Sequence, residues 1–319
     1  MKAAMAMVAF AGLQIAASAQ TKEISREQPE FTAINVANDF DVTLCQGDMY
    51  QVTLTVDEAL SPYVFAEVKG KTLSIYFDEK NVAKEVKQRY KKEKLTPIFH
   101  AVITMPVLES VTIANNVVLN STTPFECPER FELTATDKAQ VKLLTVNARS
   151  ANLALLKDAN AVMNITSVYA IDISAEDKSN LRLTTNTDEL VVYAVGSARV
   201  DVTNVCSKLT IASKGSSQVM VSGPCKTAAV TAEGSTKISL SGKGQNLNVK
   251  ASKSSNVDAY GLEVEHASLE MSGNAAVNIN ASDAVDLSLT GGKLTFGGSP
   301  VFRIIKVSKA SITPYGSAE

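Results

Sequence analysis

Apolar and polar residues alternate along most of this chain, and the alternation recurs at a fixed interval. From Leu209 to Val221 the positions Leu209, Ile211, Ser213, Ser217, Val219 and Val221 are apolar or small, and most residues between them are polar. A period of two marks a β-strand with one buried face. Nineteen residues on, Ala228, Val230, Ala232, Thr236, Ile238 and Leu240 repeat the pattern, and nineteen more bring Leu247, Val249, Ala251, Ser255, Val257 and Ala259. The template also fits upstream from Leu190 to Val202, from Ile171 to Leu183 and from Phe131 to Leu143, and downstream from Ala267 to Ile279. The unit of Leu153, Leu155, Ala161, Met163 and Ile165 departs only in placing Lys157 in a small-residue slot, and the last unit, Val285 to Phe296, is shorter by about two residues.

One inward position per unit gives the series Val141, Met163, Leu181, Val200, Val219, Ile238, Val257, Val277 and Leu294, with separations of 22, 18, 19, 19, 19, 19, 20 and 17 residues. A unit of this length with two short strands has one buried face and cannot close a core alone, so neighbouring units must stack. Helical repeats are excluded because no unit has an apolar period of 3.6, the leucine-rich spacing is absent, and propeller blades need roughly twice the length. The expected fold is all-β, a parallel β-helix or β-solenoid with coils of about 19 residues, each turning through a tight corner that admits only small residues. Gly-Ser pairs at 196–197, 215–216 and 234–235 supply a corner residue free to take positive φ. Nine such coils stacked about 4.8 Å apart make a rod of roughly 43 Å.

Residues 31–77 alternate in the same way with looser spacing, and read as the first coils of the same solenoid. A single helix insertion is expected near 81–95, from Val82 to Leu95. Asn81 is its candidate N-cap, Val82, Val86 and Tyr90 form one face, and Thr96-Pro97 ends it. From Lys80 to Lys94 seven cations stand against two glutamates, a local charge of +5. Such a segment is a solvated helix held by a narrow apolar stripe; alternatively Lys84, Lys87, Arg89, Lys91 and Lys92 form a contact surface for anionic polymers. Regular coils are expected over 127–297, less regular ones over 31–126, and a cap and tail over 298–319. In that last part the strand Arg303 to Val307, preceded by Pro300, is expected to cover the open end.

The first twenty residues change the compartment. Lys2, an apolar run from Ala3 to Ile15 and the small residues Ala17, Ser18 and Ala19 read as a secretory signal over 1–19, followed by a leader over 20–30. An extracytoplasmic protein is expected, periplasmic, cell-surface or secreted, with no transmembrane segment after signal cleavage. Its four cysteines then lie where disulfides persist. Cys206 and Cys225 are one coil apart and are the disulfide candidate; Cys45 and Cys127 are not aligned by the repeat.

Composition narrows the chemistry. The chain has 319 residues, 45% hydrophobic and 20% charged, with a net charge of −2, two histidines, no tryptophan and 6% aromatics. A chain of this charge is not a general nucleic-acid binder, and it has few groups for acid/base work near neutrality. No P-loop, dinucleotide fingerprint, nucleophile elbow or zinc-protease motif is present, so no cofactor is expected. His100 and His266 stand apart with no metal spacing. Asp137, Asp158 and Asp177 fall in the tight turns of three successive coils; with Lys138, Lys157 and Lys178 beside them they read as alternating solvated charges, with a calcium ladder as the alternative.

A family resemblance follows from the residues. Phe31 through Leu44 (FTAINVANDFDVTL), Lys71 through Tyr76 (KTLSIY), Ile103 through Ile113 (ITMPVLESVTI) and the Gly-Ser coils after them resemble the auto-transporter adhesin, head GIN domain proteins of Bacteroidetes-type bacteria, over roughly residues 31–297. The resemblance implies a pectin-lyase-like superhelix of facing sheets joined by Gly-Ser turns, secretion, no catalytic residues and a role in adhesion. The chain departs from the family pattern in its charged helix insertion and in Ile113-Ala-Asn-Asn116, where a Gly-containing turn is expected. No membrane β-barrel pattern follows the coils. The expected function is a non-catalytic, adhesin-like rod with a cell-surface glycan or protein as ligand, the alternative being a carbohydrate-active β-helix enzyme, a lyase or hydrolase.

Overall fold

A computed structural model describes residues 20–316. It is a β-solenoid of about 11 turns, nearly all strand, with one α-helix. Each regular coil consists of two arms joined by a tight corner, and equivalent arms of successive coils pair in parallel. Val200 thus lies between Leu181 and Val219, and Ile238 between Val219 and Val257. The inward ladder of Leu181, Val200, Val219, Ile238, Val257, Val277 and Leu294 is buried along its whole length. Burial of each such side chain stabilises the rod by about 1.5–3 kcal/mol relative to leaving it in water.

The structure corrects the ladder in one coil. Val141 stands opposite Ala161, not Met163, and Ala161 opposite Leu181, which turns separations of 22 and 18 into two of 20. A bulge lies between Val141 and Leu144, so Leu144 points inward and Leu143, expected inside, is exposed. An extra residue in one arm advances every later side chain by one position, and a pair of adjacent leucines hides the slip.

The corner is one continuous column. Asn38, Asn115, Asp137, Lys157, Asp177, Gly196, Gly215, Gly234, Lys253 and Gly273 all have φ between 59° and 101°. From Asn115 onward the amide after each one donates to the carbonyl of the column residue one coil back, as Lys138 does to Asn115, Asp158 to Asp137, Lys178 to Lys157 and Ser216 to Gly196. Lys157 is therefore a corner residue and not a misfit in the small slot; Ala159 fills that slot. Asn115 takes the left-handed place for which a glycine was expected, as asparagine does more readily than other side chains.

The N-terminal coils are wound in an order that alternation does not encode. Strands Ala33–Val36 and Asp41–Gln46 lie between Thr72–Phe77 and Phe99–Met105 on one side and Ser110–Ile113 and Val118–Ser121 on the other. The chain makes one coil, doubles back to build the coil below it, and then passes to the upper side. Gln51–Asp57, expected in a parallel coil, instead pairs antiparallel with Phe99–Met105, Val64–Lys69 pairs antiparallel with Thr72–Phe77, and Thr21–Glu27, expected as a leader, is a strand against Gln51–Asp57. These antiparallel strands are the outermost ones at that end of the rod.

The helix runs Lys84–Glu93, two residues later than its expected start. Asn81 does not cap it. Asn81 ends a short 3-10 turn whose Asp78 side chain accepts from the Asn81 amide, and Lys94 in the left-handed region stops the helix. At the other end of the molecule Val301–Val307 and Ala310–Pro314 pair in parallel with the preceding arms and form a further coil. The expectation that Arg303 to Val307 seals the end is corrected. Phe302, Ile304 and Val307 continue the inward columns of Val285, Leu287 and Leu289, and nothing stacks over them, so Ile304 is 63% exposed.

Candidate functional site

The stacking that buries one residue in two leaves the others on the outer faces in straight columns, and there the rod can meet a partner. On one arm Glu132, Asn152, Asp172 and Val191 form one outward column, and Thr134, Ala154, Ser174 and Tyr193 the next. These eight side chains line a shallow depression of about 380 Å³. Ala154 and Ser174 are short, so the floor drops between the exposed Tyr193 ring and the row of Glu132, Asn152 and Asp172. A half-exposed aromatic ring beside amide and carboxylate groups can stack on the apolar face of a sugar while accepting hydrogen bonds from its hydroxyls. Glu132 and Asp172 are both exposed and lie two coils apart, roughly 10 Å at the parallel strand spacing.

None of the eight was singled out from the sequence. Outward positions follow no apolar rule, and only the repeat register, applied to the polar slots, would have put them in adjacent columns.

The basic side chains Lys84, Lys87, Arg89, Lys91 and Lys92 are all exposed on the helix. Two are engaged locally, Arg89 with Glu93 at 3.4 Å and the Lys87 ammonium with the Lys80 carbonyl at 3.3 Å. The helix is held down from its opposite face. Val86 and Tyr90 pack on the core, and the Tyr90 hydroxyl donates to Oδ2 of the buried Asp57 at 2.7 Å. Burial first, and then Asp57, push the Tyr90 phenol well above its ordinary range.

At the corner the three aspartates do not stack as the alternative ladder. Asp158 is one residue out of the column, and Lys157 sits between Asp137 and Asp177, its ammonium hydrogen-bonded to Asp137. That hydrogen bond, and then the charge behind it, hold the Asp137 carboxyl below its ordinary value. Among the described residues no group of three or more histidines, cysteines or carboxylates is placed to hold a metal ion. His100 lies 3.8 Å from Asp41 and His266 3.5 Å from Asp283, surface pairs that involve strands distant in the chain or adjacent coils.

Cys206 and Cys225 stand opposite each other in register, both buried and both free thiols. In-register parallel strands aim neighbouring Cβ atoms side by side, an arrangement poorly suited to a disulfide. The Asn204 amide donates to the Cys206 sulfur at 2.9 Å. Burial, helped by Cys225, pushes the Cys206 thiol up to about 12. Cys45 and Cys127 are free as well.

Coils stacked in parallel, a left-handed corner column and outward polar columns define a β-solenoid. The family described as "Putative auto-transporter adhesin, head GIN domain" matches residues 30–208 and 196–300, and the chain belongs to it. Among solved structures it is similar to a "putative adhesin" from Parabacteroides distasonis, with 17% identity over 92% of this chain and 97% of the other and a TM-score of 0.38. It is also similar to a "putative adhesin" from Parabacteroides merdae, with 14% identity, 92% and 96% coverage and a TM-score of 0.36. A third is a "putative lipid binding protein" from Parabacteroides distasonis, with 14% identity, 93% and 95% coverage and a TM-score of 0.34. No curated protein matches the chain. Among the described residues no helix is long and apolar enough to cross a membrane.

Proposed function

We propose that the protein is an extracytoplasmic, non-enzymatic adhesin-like rod that binds a cell-surface glycan through the depression around Tyr193. The observation that carries this reading is the juxtaposition of an exposed tyrosine ring, a low floor at Ala154 and Ser174, and the row Glu132, Asn152 and Asp172. Contacts of this kind are individually weak, and several along one rod, or several rods on one surface, raise the overall strength without a deep pocket. Lys84, Lys87, Arg89, Lys91 and Lys92 add a second contact for anionic groups on such a polymer.

Binding of the purified protein to a glycan array, followed by titration of the best ligand, tests the depression. Tyr193→Ala and Asp172→Asn should each weaken binding about tenfold, the loss of one stacking or hydrogen-bonding contact. Undiminished binding in both variants would remove the depression as the site, and cleavage of an acidic polysaccharide by the purified protein would move the reading to the enzyme. Binding that survives neutralising the five helix cations and is indifferent to salt would remove the helix from it.

A further inference from the structure

The two ends of the rod differ. One ends in the antiparallel strands Thr21–Glu27 and Val64–Lys69, while the other stops at the parallel coil of Val301–Val307 and Ala310–Pro314, which has a neighbour on one side only. A contiguous group of exposed apolar side chains lies at this open end. Val301 is 65% exposed, Ile304 63% and Ile305 77%, with Val307 and Tyr315 beside them. Ile304 and Val307 occupy inward columns left uncovered, and the bulge after Ile304 turns Ile305 out. The charge there is mostly positive. From Asp286 to Glu319 the sequence contains Lys293, Arg303, Lys306 and Lys309 against the two acidic residues at the limits of that stretch, and Asp286 lies 4.0 Å from Arg303.

Apolar residues alone would suit many partners, but here they are ringed by cations. A second copy meeting this one end to end would bring two like-charged rims together over the same apolar patch, and the opposite end presents antiparallel strands, not a parallel coil that would continue the stack. A surface that is apolar beneath and anionic above matches both features. We propose that this end of the rod docks on an anionic phospholipid bilayer, with Ile304, Ile305 and Val307 entering the headgroup boundary and Arg303, Lys306 and Lys309 lying over the phosphates. The edge amides and carbonyls of the last coil keep their hydrogen bonds at that depth, because the headgroup region is hydrated. The rod then stands on the membrane with its glycan-facing columns directed along its length.

Co-sedimentation of the purified full chain with vesicles of phosphatidylcholine, with and without phosphatidylglycerol, tests this. Binding is expected only to the anionic vesicles and should fall as salt is raised. Lys306→Gln with Lys309→Gln, and separately Ile305→Ser, should each lower the partition roughly tenfold, since each cation near such a surface and each inserted side chain is worth a several-fold change. These residues are exposed, so the variants should melt as the parent does, which circular dichroism checks. Three results would overturn the proposal: no partition onto anionic vesicles at low salt, equal partition onto neutral ones, or a loss that follows neutralisation of the Lys84 to Lys92 cations and not of Lys306 and Lys309. Concentration-dependent dimerisation without lipid, abolished by Ile305→Ser, would assign the end to a second copy instead.

Discussion

Asp57 is a buried carboxylate whose Oδ2 accepts from the Tyr90 hydroxyl and the Ile98 amide while its Oδ1 has no partner. Tyr90→Phe removes a donor from an acceptor that has lost its water, so it should cost about 1–3 kcal/mol, read as a lower urea midpoint with unchanged slope. The phenol is an acid whose pKa is raised in the folded state. Its contribution is therefore complete below its ordinary pKa near 10 and is lost as pH rises past that value, and the alkaline limb of stability should be shallower in the variant. Carboxylates at the corner work at the other limit. Glu233 is lowered by its hydrogen bond to Lys253, then by the charges of Lys253 and Lys214, so its contribution is present above the ordinary carboxylate range and lost on acidification through the depressed value. Lys253→Ala should move the Glu233 titration upward in a carboxyl NMR experiment. For the cysteines, burial raises the thiols of Cys127, Cys206 and Cys225 and so suppresses their thiolates, the reactive form. Alkylation near pH 8 should label the half-exposed Cys45 first and the other three only on unfolding; equal rates at all four would show that the interior opens readily.

At the level of the coil, the corner column is maintained by backbone bonds between coils and only locally by glycine. Lys253 and Gly215 share a left-handed backbone, yet they answer substitution differently. A Cβ on Gly215 would come 2.8 Å from the Gly196 carbonyl oxygen, with φ at +81°. Gly215→Ala should therefore destabilise by about 1–3 kcal/mol through strain and crowding, whereas Lys253→Gly should lose little beyond the Glu233 pair. Val219→Asp, in the fully buried ladder, should cost several kcal/mol or abolish folding, as an uncompensated charge in a packed interior does. The inward ladder from Leu181 to Leu294 was legible in the sequence because every slot must be apolar or small, a constraint that period two displays directly. The bulge at Leu143 and Leu144 was not, since both residues satisfy the apolar rule and only stacking against Met163 chooses between them. Neither was the Tyr193 depression, because outward residues obey no such rule, nor the place of Lys157 in the corner column; the turn at Asp137 was legible, but not its left-handed backbone, which no glycine announces.

The winding of the N-terminal coils was hidden for another reason. Alternation marks which residues face inward but not which strand lies beside which, and here Ala33–Val36, the first coil in sequence, is the second in space. This gives the two ends of the chain different weights. Deleting residues from 298 onward strips the terminal coil and exposes Val285, Leu287 and Leu289, now buried beneath Phe302, Ile304 and Val307, but it leaves every remaining coil with its neighbours. In a fold whose stability is a sum of coil and interface contributions, such a chain should still fold, with a lower melting temperature and greater affinity for apolar dyes. Deleting residues up to 46 instead removes a coil from the interior. Thr72–Phe77 and Phe99–Met105 would then lose their only parallel neighbours, and Ser110–Ile113 and Val118–Ser121 would be uncovered on one side. That chain should lose the cooperative transition of its N-terminal third, seen by hydrogen exchange as rapid labelling from Gln51 through Ser121 with protection retained beyond Leu181. Comparable melting of the two truncations would mean that the coils below and above can close over the gap, and that the doubled-back order is not what holds this end together.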